Sequence, residues 1–274
     1  MEHVLHQKYE ALLKRIKDLG SAVVAFSGGV DSGLLAAVAY QALGDRMLAV
    51  TVRSPVELPE GINAAADLAR VVGFRHQIVD YDDLTNPQFA NNPPDRCYHC
   101  KLQRLGMLVN LACEQGFAAV IEGSNADDRG DYRPGKRAVE ELGVLSPLAE
   151  VGFTKGEVRN LAKELGLALW NRPSAPCLAT RFPYGTPVTR EGIDQVARGE
   201  EFLCNLGFEP VRLRHYGNLA RLEVAPEKIS ALVERREEIT QFLKSLGFIH
   251  VAVDLLGYRS GSLNEAILTK GVEK

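Results

Sequence analysis

The chain has 274 residues, with 32 Lys and Arg against 35 Asp and Glu, a formal net charge of −3 and 46% hydrophobic residues. That length allows one large domain or a medium domain with an appendage, and the composition excludes wholesale disorder and a fibrous repeat. The slightly acidic balance argues against a surface dominated by phosphate-backbone contacts, so nucleic acid is not the expected partner.

Residues 1–17 space apolar side chains helically among His, Glu and Lys, unlike the continuous apolar core of a signal peptide. No apolar run approaches the roughly 18–20 residues of a membrane span. Five cysteines without an export signal point to thiols or a metal centre, and so to the reducing cytoplasm. Strands are predicted at 22–26, 47–52, 76–80 and 118–122, and helices near 32–43, 62–72 and 102–115. This alternation predicts an α/β fold, a doubly wound parallel sheet over residues 1–174. Two polar loops, 82–95 with three prolines and 123–135, are longer than plain connections need. Residues 175–274 read as a smaller α+β domain. Within it the segment 202–211 resembles 242–251, each predicted as helix, glycine-capped turn and strand. Recurrent turn chemistry accounts for two such copies, and no function is drawn from them.

The strongest local signal is Ser27-Gly28-Gly29-Val30-Asp31-Ser32, between the first strand and a helix expected from about Gly33. At a helix N-terminus the first amides lack intrahelical partners and the dipole is positive, so small residues let a phosphate chain reach bare N–H groups. Ser27 and Ser32 add hydroxyls. No Walker Lys-Ser/Thr follows, and the glycine spacing is not that of the dinucleotide fingerprint. The six residues resemble the PP-loop, SGGxDS, of the N-type ATP pyrophosphatases, which include NAD synthetase, GMP synthetase, asparagine synthetase and several tRNA-modifying enzymes. The resemblance implies that the loop, through Ser27, Gly28, Gly29 and Ser32, grips the β- and γ-phosphates of ATP. Cleavage then falls at the α-phosphate and yields an adenylylated substrate plus pyrophosphate. Asp31, an acid among phosphates, is a candidate ligand for Mg²⁺. The plainer alternative is a glycine-rich turn with capping Ser and Asp.

A second acidic element, SNADDRGDYRPG (124–135), follows the last strand of the first domain. Asp127, Asp128 and Asp131 are candidates for the metal or the ribose, and Arg129 and Arg133 for offsetting phosphate charge, against the alternative of a solvated loop of Asx turns. Of the cysteines, Cys113 and Cys204 sit in apolar helical patterns and are expected to be buried as small hydrophobes. Cys97-Tyr98-His99-Cys100 with the distant Cys177 suits three-point ligation of a metal with one position open. With His99 the set is instead a closed zinc site, and a redox disulfide between Cys97 and Cys100 is a third option. Spacing alone leaves all three open.

The segments SNADDRGDYRPG, NRPSAPCLATRFPYG (171–185), VRLRHYGNLARLEV (211–224) and GYRSGSLN (257–264) together resemble the LarE family of ATP-dependent sulfur transferases. The resemblance extends over most of the chain. It implies insertion of sulfur into pyridinium-3,5-biscarboxylic acid mononucleotide, in the biosynthesis of the nickel-pincer nucleotide cofactor. Some members carry a single cysteine matching Cys177 and give up its sulfur. Others carry three cysteines that hold a 4Fe-4S cluster, and Cys97, Cys100 and Cys177 resemble that group. Arg212 and Arg214 alternate along a predicted strand and so share a face, where two guanidinium forks suit a phosphate. The family-like segments add Arg181, Tyr184, Glu200, Arg221, Glu223 and Arg259 as candidates. The expected site is therefore Cys177, Asp31 and Glu200 as catalytic residues. The phosphate loop, Asp128, Arg181, Arg212 and Arg214 are expected to bind ATP and a small nucleotide substrate. The family resemblance implies a homo-oligomer, while no segment names the sulfur donor. The rival readings are a tRNA thiolase with a three-cysteine cluster, and an ATP-binding sensor with a structural zinc.

Overall fold

A computed structural model describes residues 2–129, 134–173, 176–259 and 261–264. The chain divides into two compact units, 1–82 with 95–175, and 83–94 with 176–274.

Numbered along the chain, the first unit contains α1 (Glu2–Lys17), β1 (Ala22–Ala25), α2 (Val30–Leu43), β2 (Met47–Arg53), α3 (Pro59–Val72) and β3 (His76–Asp80). After α4 (Pro87–Ala90), which belongs to the second unit, come α5 (Arg96–Glu114), β4 (Ala119–Ile121), α6 (Gly135–Glu141), α7 (Pro147–Val151) and α8 (Lys155–Glu164). The four strands form one sheet in the order β3-β2-β1-β4. All pairings are parallel, with Ala22 opposite both Met47 and Ala119, and Ala49 opposite His76.

Side chains of a strand alternate between faces, and here both faces are apolar because helices cover each. Ala22, Val24, Met47, Ala49 and Ile121 join Leu34, Leu35 and Val38 of α2 and Leu161 of α8 in one core. Val23, Leu48, Val50 and Val120 point the other way, onto Leu105, Leu108 and Ala112 of α5. The sheet is thus wound on both sides. α2 begins at Val30, three residues before the predicted start, because Gly29 is extended (φ −82°, ψ 166°) and the helical turn takes in Asp31 and Ser32. α3 starts at Pro59, whose fixed φ suits a first helical position. α5 starts at Arg96 and so carries both Cys97 and Cys100, which sequence periodicity had left outside the helix.

In the second unit, β5 (Val211–Tyr216) and β6 (Leu219–Val224) form an antiparallel hairpin and β7 (His250–Val253) pairs in parallel with β6. α9 (Arg190–Asn205) precedes β5, and α10 (Ile229–Glu234) and α11 (Arg236–Ser245) precede β7; Gly207 and Gly247, both at positive φ, lie just past the ends of α9 and α11. The two similar segments are therefore helix, turn and strand, and their Phe202 and Phe242 rings stack with centroids 3.9 Å apart. Segment 83–94, read from the sequence as a loop of the first domain, joins this unit. Buried Asn92 donates through Nδ2 to the carbonyls of Pro183 (2.8 Å) and Thr186 (2.9 Å). Among the described residues, no helix is long and apolar enough to cross a membrane.

Candidate functional site

The order β3-β2-β1-β4 places a topological switch beside β1, where the chain leaves for β2 on one side and returns as β4 on the other. Ligands of open α/β sheets bind at the carboxyl ends of strands at such a point, and the turn after β1 is Ser27–Ser32. Gly28 is left-handed (φ +76°), and a Cβ there would stand 2.1 Å from the Gly61 carbonyl oxygen, so glycine is required by conformation and by space. Ser32 Oγ accepts from the Ser27 amide (3.2 Å) and donates to the Gly29 carbonyl (3.2 Å), and the Ser27 hydroxyl lies 3.1 Å from it. The two serines thus brace the loop. No side chain caps the N-terminus of α2, which leaves its first amides to an anion.

Asp31, in the first turn of α2, ion-pairs with Lys155 and accepts 3.1 Å from Asn125 Nδ2. Asn125 is 4% exposed and acts as a hub: its amide donates to Asp128 Oδ2 (3.0 Å) and its Oδ1 accepts from the Asp127 amide (3.0 Å). Asp127 in turn accepts from the Lys155 amide (2.8 Å). Asp127 is thus tied to the start of α8, while Asp128 shares a cavity with Asp31. Two carboxylates beside a phosphate loop fit Mg²⁺, which takes one or two protein carboxylates and completes its shell with phosphates and water. Asp131, Arg133 and the Arg129 side chain lie outside the described residues.

The cavity, about 340 Å³, is lined by the polar residues Ser27, Gly29, Asp31, Ser32 and Asp128 and by the apolar residues Val50, Val52, Ile62, Leu105 and Leu108. A lining that combines an uncapped anion-binding turn with apolar side chains suits a nucleotide. Cys100 and Lys101 lie on its wall. Lys101 Nζ is 3.1 Å from Glu122 Oε2, and Glu122 also accepts from Ser146 Oγ (2.6 Å) and the Ser124 amide (3.1 Å). Burial alone raises the Glu122 pKa, but Lys101, Ser146 and Ser124 together outweigh it and hold the carboxyl below its ordinary range. Thr51 Oγ1 donates to the Phe26 carbonyl (2.6 Å), so His76 Nε2, 2.8 Å from that hydroxyl, is the donor to it.

Cys97 and Cys100 stand one helical turn apart on α5, with Cys97 exposed and Cys100 half-buried. Cys177 belongs to the second unit. Among the described residues, no group of three or more His, Cys, Asp or Glu side chains is gathered to hold a metal ion. His99 Nε2 lies 3.4 Å from Asp95. Cys113 is exposed on α5, contrary to its expected burial, while Cys204 is half-buried and its thiol is pushed up to about 11 by burial and then by Glu209 and Glu200.

In the second unit, the segment carrying Cys177 is held by two buried arginines. Arg181, 1% exposed, forms a two-pronged pair with Glu200 (2.9 and 2.7 Å) and donates through Nη1 to the carbonyls of Pro176 (2.8 Å) and Cys177 (3.2 Å). Arg214 forms the same pair with Glu223 (2.9 and 2.7 Å) and donates to the Thr180 carbonyl (2.8 Å). Glu200 also accepts from the Leu213 amide (2.9 Å), which ties α9 to β5. The sequence offered Glu200 as a catalytic residue and Arg181 and Arg214 as binding residues, and here the two arginines bond to the backbone carbonyls around Cys177. Arg212 shares the strand face with Arg214, as alternation requires. Its guanidinium donates to the Val211 carbonyl and lies 5.2 Å from the Tyr258 ring. Burial first, and then Arg181, makes its charged form costly, which is the setting in which an anion is welcome.

Comparison with known proteins bears on both units. Residues 5–124 match the NAD synthase family. Over 264 residues the chain is 39% identical to the pyridinium-3,5-bisthiocarboxylic acid mononucleotide synthase of Lactiplantibacillus plantarum, spanning 96% of each chain. The chain belongs to the LarE family of ATP-dependent sulfur transferases. It is also 44% identical to an uncharacterised protein of Synechocystis sp., over 97% of this chain and all of that one. A tRNA-specific 2-thiouridylase of Rickettsia typhi is more distant, 26% identical over 70% of this chain and 64% of its own.

In this LarE-family chain two polar residues at the phosphate loop went unnoticed in the sequence. Asn125 sits inside a segment scanned for its acids, and an amide that orients a carboxylate leaves no charge signal. Lys155 is 124 residues from its partner Asp31 and opens an ordinary amphipathic helix.

Proposed function

We propose that this chain adenylylates a carboxylate of pyridinium-3,5-biscarboxylic acid mononucleotide and replaces one of its oxygens with sulfur, giving the thiocarboxylate used in nickel-pincer nucleotide biosynthesis. The observation that carries the proposal is one cavity lined both by the uncapped phosphate loop and by Cys100 of the C-x-x-C pair.

ATP lies with its terminal phosphates on the amides of the loop and its base between Val52 and Leu105. A substrate carboxylate oxygen bonds to the α-phosphorus as the bond to the bridging oxygen of pyrophosphate breaks. The loop amides stabilise the charge that collects on that leaving group, because they are fixed before reaction and need no reorganisation. Asp31 and Asp128 would hold Mg²⁺, which when bound neutralises phosphate charge. The acyl adenylate has the leaving group that a free carboxylate lacks, so a sulfur nucleophile attacks the acyl carbon and AMP departs. Cys97, Cys100 and Cys177 would be the thiolate ligands of a 4Fe-4S cluster. Such a cluster supplies the sulfur nucleophile when bound. Arg181 and Glu200 hold the Cys177 backbone in place, and Arg212 receives the substrate phosphate.

The test is anaerobic incubation of the reconstituted protein with ATP, Mg²⁺, sulfide and the biscarboxylate mononucleotide, followed by mass spectrometry. Thiocarboxylate and pyrophosphate appearing together are the expected result. Pyrophosphate release that the biscarboxylate does not stimulate would sink the proposal.

A further inference from the structure

A second recess, about 200 Å³, opens against the phosphate loop and is lined by Gly28, Gly29, Asp31, Lys155, Arg159 and Arg172. Glu57 also lines it, but its carboxylate is paired with Arg104. Three cationic side chains sharing a recess with the positive end of a helix make an anion the fitting occupant.

The cations are held in different ways. Arg159 is aimed by two bonds, from Nη1 to the Trp170 carbonyl (2.8 Å) and from Nη2 to the Arg172 carbonyl (2.9 Å). Lys155 is held at its backbone and, through its ammonium, by Asp31. Its amide donates to Asp127 Oδ2 (2.8 Å), and the capping box of Thr154 and Glu157 sets the first turn of α8. Its four-carbon side chain then reaches Asp31, and a lysine ammonium on such a stem moves readily between acceptors.

Asp31 is also the carboxylate that the function proposed above gives to Mg²⁺, and the inference rests on that assignment. An ammonium and a divalent ion on one carboxylate repel each other, so a metal arriving at Asp31 weakens the hold on Lys155. We infer that Lys155 is displaced from Asp31 when the metal arrives with ATP, and moves to the terminal phosphates in this recess. There, with Arg159 and Arg172, it receives the pyrophosphate. Lys155 is thus a positioning residue that keeps bare metal off the loop and couples metal binding to polyphosphate binding, each favouring the other.

The test compares wild type with Lys155→Gln and Arg172→Gln by calorimetry with pyrophosphate, with and without Mg²⁺, and by electron paramagnetic resonance with Mn²⁺ alone. Lys155→Gln is expected to bind pyrophosphate about tenfold more weakly, to bind Mn²⁺ alone more tightly, and to lose most of the coupling between them. Arg172→Gln should weaken pyrophosphate binding and leave Mn²⁺ alone unchanged. Unchanged thermal midpoints show that the variants fold. If wild type binds pyrophosphate and Lys155→Gln matches it in both affinities, the inference is overturned while the proposed function stands. If wild type binds neither ATP nor pyrophosphate, the proposed function fails as well.

Discussion

Gly123 and Ser32 meet so closely that a Cβ at position 123 would lie 2.8 Å from the Ser32 amide nitrogen. The exit of β4 is therefore packed directly on the first turn of α2, and this contact sets the opening between the phosphate loop and the acidic segment. Gly123→Ala is expected to push the two apart, costing about 1–3 kcal/mol of stability and weakening ATP binding. A melt and an ATP titration check both, and an unchanged titration would show that the opening is set elsewhere.

Glu122 makes stability depend on acidity. Its folded pKa is depressed, since Lys101, Ser146 and Ser124 outweigh the effect of burial. Its contribution is therefore fully present above the unfolded value of about 4.5 and is lost as pH falls through the lower folded value. Glu122→Gln should cost about 1–3 kcal/mol at neutral pH. Urea melts of the two proteins should converge in acid, and a gap independent of pH would show that charge is not the cause.

The Arg181–Glu200 pair is buried at both ends, 1% and 9% exposed. Removing one partner strands a charge, so Arg181→Met and Glu200→Leu are each expected to cost about 3–5 kcal/mol, and the double variant less than their sum. Denaturant unfolding in a double-mutant cycle measures the difference. Additive losses would mean that the two side chains act separately.

The cysteines should separate by reactivity. In protein stripped of metal, exposed Cys97 and Cys113 should alkylate quickly, while Cys204, with its thiol at about 11, stays protected at neutral pH. Peptide mapping reads the order, and rapid labelling of Cys204 would contradict it. Protein reconstituted anaerobically should be brown and contain about four iron and four sulfide per chain. Colourless protein holding about one zinc would replace the cluster with a structural site. Cys177→Ala should lose sulfur transfer and keep AMP formation, and retention of both would make Cys177 a packing residue.

Local regularities of the fold were legible in the sequence. Three of the four parallel strands are short apolar runs before a turn, and the phosphate loop was legible because its glycines and serines follow one of them. What escaped depended on contacts between distant residues. Segment 83–94 joins the second unit through Asn92, whose side chain finds carbonyls about 90 residues away. Arg181 and Arg214 were recognised as important by resemblance, yet their partners, Glu200, Glu223 and the backbone carbonyls around Cys177, follow from packing alone. Cys113 misled because an apolar helical pattern does not say which face of α5 meets the sheet.

The central claim is that the loop at residues 27–32 holds the two terminal phosphates of ATP and leaves the α-phosphorus open to attack. Separating the products formed from ATP labelled at the α- and at the γ-phosphate, in the presence of the biscarboxylate substrate, tests it most directly. The account predicts α-label in AMP and γ-label in pyrophosphate. Label recovered in ADP and orthophosphate would contradict it.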